Sequence, residues 1–149
     1  MKTVFLVLFP IILGVVDLPC NYFTSPDYST ITNPQARWRA YGIRSYTIPQ
    51  QHTCSCVNGG KQMRLTVRDN TIVNVQGMNL IPLPREQWSS YRTVDELFGL
   101  ITNGNSYASL GVEYDARYGY PTTLSIDVIA EAVDDEFGYQ TEGLQRMGK

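Results

Sequence analysis

The stretch Met63-Arg-Leu-Thr-Val-Arg-Asp-Asn-Thr-Ile-Val-Asn-Val75 decides the fold. Met63, Leu65 and Val67 alternate with Arg64, Thr66 and Arg68, the period of two that gives a strand one core side and one solvent side. Asp69 and Asn70 come next, two residues that accept positive φ at the centre of a two-residue hairpin turn. Ile72 to Val75 then returns as the partner strand. An antiparallel sheet with one apolar face follows, and that face needs a covering layer.

The covering layer is legible on both sides of the hairpin. Downstream, Thr93-Val-Asp-Glu96 has the form of a capping box, in which a hydroxyl and a carboxylate satisfy the orphan amides of a helix start. Val94, Leu97, Phe98 and Ile101 then fall on one helical stripe, and Asn103-Gly104 ends it. Upstream, Asn33 before Pro34 fits an N-cap with proline at the first helical position. A short helix is expected through "PQARWRAYGIRSY", with Trp38, Tyr41 and Ser45 on one face. Gly42 weakens it, and "YTI" has the composition of a strand.

Beyond the second helix, Tyr107 to Asp115 alternates with Leu110, Val112 and Tyr114 on one face. "DARYGYP" turns the chain, with Asp115 suited to an Asx-type turn, Gly119 to a left-handed position, and Pro121 holding Tyr120 extended. Thr122 to Val128 returns with Leu124, Ile126 and Val128 inward. Residues 78–92, with Pro82 and Pro84, read as a loop, as does "AEAVDDE", and a last strand is expected over 137–144. The expected architecture is α+β: an antiparallel β-sheet with two helices packed on one face, in the order α-β-β-β-α-β-β-β.

A chain of 149 residues with 43% hydrophobic content suits one domain with one core. Ten tyrosines and two tryptophans favour sheet. The net charge of −2, with no basic run, gives no electrostatic support for nucleic-acid binding. Met1-Lys2 followed by the uncharged, mostly apolar run Thr3 to Val16, closed by Asp17, has the form of an export signal and is short for a membrane span. The expected organisation is a signal peptide over 1–20, a tether over 21–33 and a single domain over 34–149. Cys20 lies where a lipoprotein cysteine would. However, Asp17, Leu18 and Pro19 before it place leucine one position late and proline where a small residue belongs. Two readings stand: lipidation of Cys20, or cleavage nearby that leaves its thiol intact.

His52-Thr-Cys-Ser-Cys-Val57 holds the only histidine and two of the three cysteines. In a straight strand His52, Cys54 and Cys56 share a face with Cα atoms about 6.6–7 Å apart, too far to converge on one ion. The same spacing forbids a Cys54–Cys56 disulfide unless the chain bends. A redox pair also wants nearby positive charge, and Lys61 is the first cation after the pair. A structural bridge in an oxidising compartment could join Cys54 to Cys56 or one of them to Cys20, and the preferred reading is the local Cys54–Cys56 bridge.

The acidic set Asp127, Asp134, Asp135 and Glu136 is a weaker candidate, for calcium, but it lacks EF-hand order and reads more simply as solvated turn residues. Glu113, Asp115 and Asp127 fall on the solvent side of their strands. No catalytic residue and no cofactor is assigned. Tyr114, Tyr118, Tyr120 and Tyr139 form a candidate binding surface, although aromatics serve a sheet core equally well.

Trp38, Tyr41 and Tyr46, then Cys54-Ser-Cys56, "LTVRDNTIVNV", "TVDELFGLI", "VEYDARYGYPTTLSID" and "DDEFGYQ" together resemble the DUF6174 family of exported bacterial proteins. The resemblance spans residues 38 to 144 in order. Members often carry lipoprotein signals, which favours Cys20 as an anchor. A glycine usually follows the hairpin aspartate, where this chain has Asn70. The resemblance implies no activity, since the family has no established one. The functional expectation is an exported cell-envelope domain (periplasmic, cell-surface or secreted) with a non-catalytic binding or structural role. The alternative is a thiol/disulfide protein using Cys54 and Cys56. The expected partner is an envelope protein or a small ligand, with membrane contact only through the signal or a lipid anchor.

Overall fold

A computed structural model describes residues 26–132 and 134–148. The expected signal peptide, Cys20 and the first residues of the expected tether lie outside the described residues. The elements are α1 (Pro34–Tyr41), β1 (Tyr46–Thr53), β2 (Gln62–Arg68), β3 (Thr71–Gly77), α2 (Val94–Thr102), β4 (Ser109–Tyr114), β5 (Pro121–Asp127), β6 (Phe137–Thr141) and β7 (Gln145–Arg146). The class is α+β and the sheet is antiparallel. The expected order is incomplete: two 3-10 segments, Arg85–Ser90 and Gly104–Ser106, flank α2, and a seventh strand follows β6.

The seven strands run in the order β3-β2-β1-β6-β5-β4, and β7 pairs with β1. The chain makes two meanders, β1–β2–β3 and β4–β5–β6, joined at the centre by the β1–β6 pair. β3 and β4 are opposite edges, so the segment between them must cross a whole face of the sheet. That segment carries the apolar stripe of α2. The crossing and the burial of the stripe are one requirement.

The hairpin forms as its sequence requires. Asp69 and Asn70 sit at φ 46° and 59°, the left-handed pair that matches strand twist. Asparagine serves there because its short polar side chain tolerates this conformation. Met63, Leu65 and Val67 are buried. A register shift at Thr66/Val67 sets Val67 opposite Ile72 and Leu65 opposite Val75, leaving Val73 outward and 45% exposed.

α1 starts at Asn33, whose side-chain oxygen accepts the Ala36 amide at 2.8 Å, and stops at Gly42, φ 58°. It is therefore shorter than the expected helix. Ser45 lies beyond it, and "YTI" opens β1. Residues 26–33, expected as tether, contact α1: the Tyr41 hydroxyl donates to Asp27, and Arg37 Nε donates to the Ile31 carbonyl at 2.7 Å. The expected last strand is split, because Gly143 at φ 61° kinks the chain between β6 and β7.

The core lies between the helices and the sheet. Trp38 of α1 packs edge-on against Tyr46 of β1 with ring centroids 5.7 Å apart, and its indole N–H donates to Asp95 of α2. The capping box is complete: the Thr93 amide donates to Glu96 at 2.7 Å and the Glu96 amide to the Thr93 hydroxyl at 3.2 Å. The buried hydroxyl of Tyr46 accepts the Val94 amide at 2.8 Å. Gln50, 1% exposed among apolar neighbours, accepts the Arg92 amide and donates to the Arg92 carbonyl, both at 2.9 Å. These contacts fix where α2 begins relative to β1.

Candidate functional site

β1 ends at Thr53 and the chain bends at once. The loop that follows is closed by backbone bonds from Gly59 to the Cys56 carbonyl at 3.0 Å and from Gly60 to the His52 carbonyl at 2.9 Å. Asn58 and Gly60 take positive φ, 64° and 74°. Position 59 must be glycine for a spatial reason: a Cβ there would meet the carbonyl oxygens of Cys54 and Cys56, the second at 3.0 Å. Asn58 Nδ2 donates to Gln87 Oε1 at 2.6 Å, docking the loop on the 3-10 segment before α2.

The bend brings the Cα atoms of Cys54 and Cys56 to 5.2 Å and their sulfurs together as a disulfide-like pair. A straight strand would hold these Cα atoms about 6.6–7 Å apart. The obstacle that the sequence raised to a local bridge is thus absent from the folded chain. The same bend removes the obstacle to convergence of three donors. His52 Nδ1 lies 3.2 Å from Cys54 Sγ and 3.7 Å from Cys56 Sγ. Among the described residues this is the one group of three or more potential metal-ligating side chains whose donor atoms lie within 4.8 Å of one another.

Packing fixes the imidazole. It stacks on Tyr139 of β6 at 4.6 Å, nearly parallel, with Phe137 edge-on at 6.3 Å. His52 and Tyr139 face each other in the β1–β6 register, so the stack is a cross-strand pair. Partial burial holds the imidazole pKa below its ordinary value, and the positive charge of Arg92 pushes it the same way. Both effects favour the neutral ring, which has one donor and one acceptor nitrogen.

A family model described as a family of unknown function, DUF6174, matches residues 30–146. The chain belongs to DUF6174. No curated protein and no solved structure matches it.

In this DUF6174 domain the four tyrosines do not make one surface. Tyr120 and Tyr139 are 4% and 3% exposed and belong to the core, which corrects their reading as surface residues. Tyr139 lies inward by strand parity and pairs with Leu124, and Tyr120, in the turn before β5, packs on Trp38. Tyr114 stacks on Phe98, and Tyr118 packs edge-on against Tyr41 under the Arg117 guanidinium.

The acidic set Asp127, Asp134, Asp135 and Glu136 does not converge, among the described residues, as a ligand group. Asp135 Oδ2 instead accepts the Ile129 amide at 2.7 Å, closing the loop before β6. One oxygen each of Asp127 and Asp135 is shielded from solvent with no hydrogen-bond partner among the described residues. The "DARYGYP" turn forms as expected: Asp115 Oδ1 accepts the Arg117 amide at 3.0 Å and also the Tyr118 amide, with Gly119 at φ 81°.

By strand parity, the sheet face away from the helices carries Thr47, Gln51, Arg64, Thr66, Thr123 and Gln140. All are half-buried or exposed. Two open clefts lie along it. One, about 450 Å³, is lined by Thr53, Ser55, Thr123, Ser125 and Gln140 beside Cys54. The other, about 600 Å³, is lined by Gln62, Glu113, Asp115, Thr123, Gln140 and Glu142. They share Thr123 and Gln140 and so form one trough, whose first part also has Leu124, Phe137, Asp134 and Glu136 in its wall and is therefore mixed rather than purely polar. Glu113 and Asp115 meet there. Asp127 does not, because it sits at the far end of β5, opposite Ser109.

Two parts of this arrangement escaped sequence reasoning. Arg92 comes from 38 positions beyond Cys54 in the chain to place a positive charge near His52. Gln50 holds the Arg92 backbone. The parity of Tyr46, Ile48, Gln50 and His52 was the available signal: a glutamine in the inward phase of a strand needs a buried partner.

Proposed function

We propose that this chain is an exported cell-envelope domain that acts by non-covalent binding on the open trough of its sheet. In this reading Cys54–Cys56 serves as a local clamp on the loop at one end of the trough. The supporting observation is the uncovered, hydroxyl- and amide-rich face, with its continuous clefts, opposite a helix-covered core. Sheet faces without a covering layer are usually polar and solvated. This one adds a concavity and a row of Thr, Ser and Gln side chains suited to a polar partner, an envelope protein or a small ligand. The signal-like segment over 1–20 supports export, and anchoring through Cys20 is part of the proposal. A photo-crosslinking residue at Gln51 or Gln140, compared with Thr102 on α2, tests the face. Partner adducts confined to Gln51 and Gln140 support the reading, and adducts confined to Thr102 refute it.

A second reading, an envelope thiol/disulfide protein, is favoured by one observation: the imidazole of His52 lies against both sulfurs on a loop where Cys56 is exposed. A nearby base that can take up the thiol proton is one of the features that activate a nucleophilic thiol. Thiol counting with and without mild reductant separates the two. A pair that resists mild reductant, with a C54S/C56S variant that loses only stability, sinks the redox reading.

A further inference from the structure

We propose that in its dithiol state the loop is a copper(I) site, with the ion held by Cys54 Sγ, Cys56 Sγ and His52 Nδ1. This goes beyond the binding role of the trough and does not rest on it.

Metal–sulfur bonds near 2.3 Å and metal–nitrogen bonds near 2.0–2.1 Å set the sulfur–nitrogen separations of a three-coordinate ion at about 3.7 Å. The structure holds Cys56 Sγ at 3.7 Å and Cys54 Sγ at 3.2 Å, the second about half an ångström short. The two sulfurs must part to about 4 Å on the same geometry, and opening their bond releases Cys54 Sγ to move away from both Cys56 Sγ and the imidazole. The side chains need no new backbone path, because the bend that brings them together is set by Asn58, Gly59 and Gly60 rather than by the sulfurs alone.

The nitrogen ligand is pre-oriented. The Tyr139 stack and the Phe137 edge fix the imidazole plane, so that Nδ1 points at the sulfurs. Ligands held in this way before the ion arrives lose little freedom on binding. Donor chemistry then chooses the ion. Two thiolates and one imidazole are soft to borderline donors, which suits copper(I) and zinc. Zinc would need a fourth ligand, which water would have to supply because the convergent group among the described residues has three members, whereas copper(I) is satisfied by these soft donors alone. Copper(I) is the better match.

The site and the disulfide exclude one another because they use the same sulfurs. Opening the bridge takes two electrons and two protons from a dithiol reductant, which leaves as its own disulfide. Copper(I) then displaces one proton from each thiol, and both protons pass to solvent. Copper occupancy is therefore gated by the oxidation state of the pair.

The test uses the purified chain, reduced anaerobically with a phosphine, which takes its oxygen from water. It is titrated with copper(I) against the coloured chelator bathocuproine disulfonate. One equivalent should be withdrawn from the chelator by the reduced chain and none by the oxidised chain. X-ray absorption should show two sulfurs and one nitrogen. Because His52 is the only histidine, its imidazole ¹⁵N resonances report ligation without any substitution, and the Nδ1 signal should shift on copper addition. C54S and C56S should each abolish binding, and H52A should weaken it about tenfold or more. A Cys20→Ser background should leave affinity unchanged. The proposal is overturned if the reduced chain withdraws no copper, if the His52 signal stays in place, if binding needs Cys20, or if zinc competes copper(I) off at equal concentration.

Discussion

Replacing Gln50 with leucine removes the two hydrogen bonds that tie β1 to the start of α2 while keeping a side chain of nearly the same volume. Gln50 is 1% exposed, and both its bonds go to the backbone of Arg92 at 2.9 Å. Each is worth about 0.5–1.5 kcal/mol net, so their loss costs about 1–3 kcal/mol. Leaving the Arg92 amide and carbonyl unpaired works in the same direction, and the apolar burial gained by leucine offsets part of it. The outcome should be a loss near 2 kcal/mol, on the order of 1 M in urea midpoint for a domain of this size. Urea unfolding followed by fluorescence of Trp38 and Trp88 measures it. A second readout isolates the cause: the Arg92 amide should exchange with solvent faster than its neighbours on α2. A variant within about 0.3 kcal/mol of the parent, with Arg92 exchange unchanged, would refute the claim that Gln50 positions this segment.

Other outcomes follow from single features. Thr93→Ala breaks the capping box and should cost about 0.5–2 kcal/mol in the same urea assay, whereas Thr93→Ser should be close to neutral. Gly119→Ala imposes a left-handed conformation on a side chain whose Cβ would approach the Pro34 carbonyl and lie 3.2 Å from Arg37 Cβ. A loss above about 2 kcal/mol is expected, detached first at α1 in hydrogen exchange. Burial raises the pKa of Tyr46 well above the ordinary 10.0, and burial also raises that of Tyr139. Above pH 10 the unfolded chain releases protons that these folded tyrosines keep. Stability is therefore full below pH 10 and falls as pH climbs toward the folded values, by up to about 1.4 kcal/mol per pH unit for each tyrosine. Unfolding curves at pH 8, 9.5 and 10.5 check this, and a flat profile contradicts it.

The features legible in the sequence are those with a local cause. The hairpin follows from alternation plus two residues that accept positive φ, the start of α2 from reciprocal capping, and the β4–β5 turn from Asp115 and Gly119. The bend after Thr53 was not legible, because it depends on the clearance around Gly59 and on Asn58 reaching Gln87 across 29 positions. The site inherits that gap. His52, Cys54 and Cys56 stood out by residue type, but their convergence needed the bend. Tyr139 read equally well as surface or core until the β1–β6 pairing set it against His52. Arg92 entered the site through chain crossing, which no short window of sequence contains.

Cys54 and Cys56 face each other across this bend, and the proposed function makes them a local bridge formed after export. Mass spectrometry of protein isolated from its native host, with free thiols alkylated before any reductant is added, tests it most directly. The account predicts a chain lacking the leader, with the peptide carrying Cys54 and Cys56 unalkylated and lighter by two hydrogens. A full-length chain with both cysteines alkylated would contradict it.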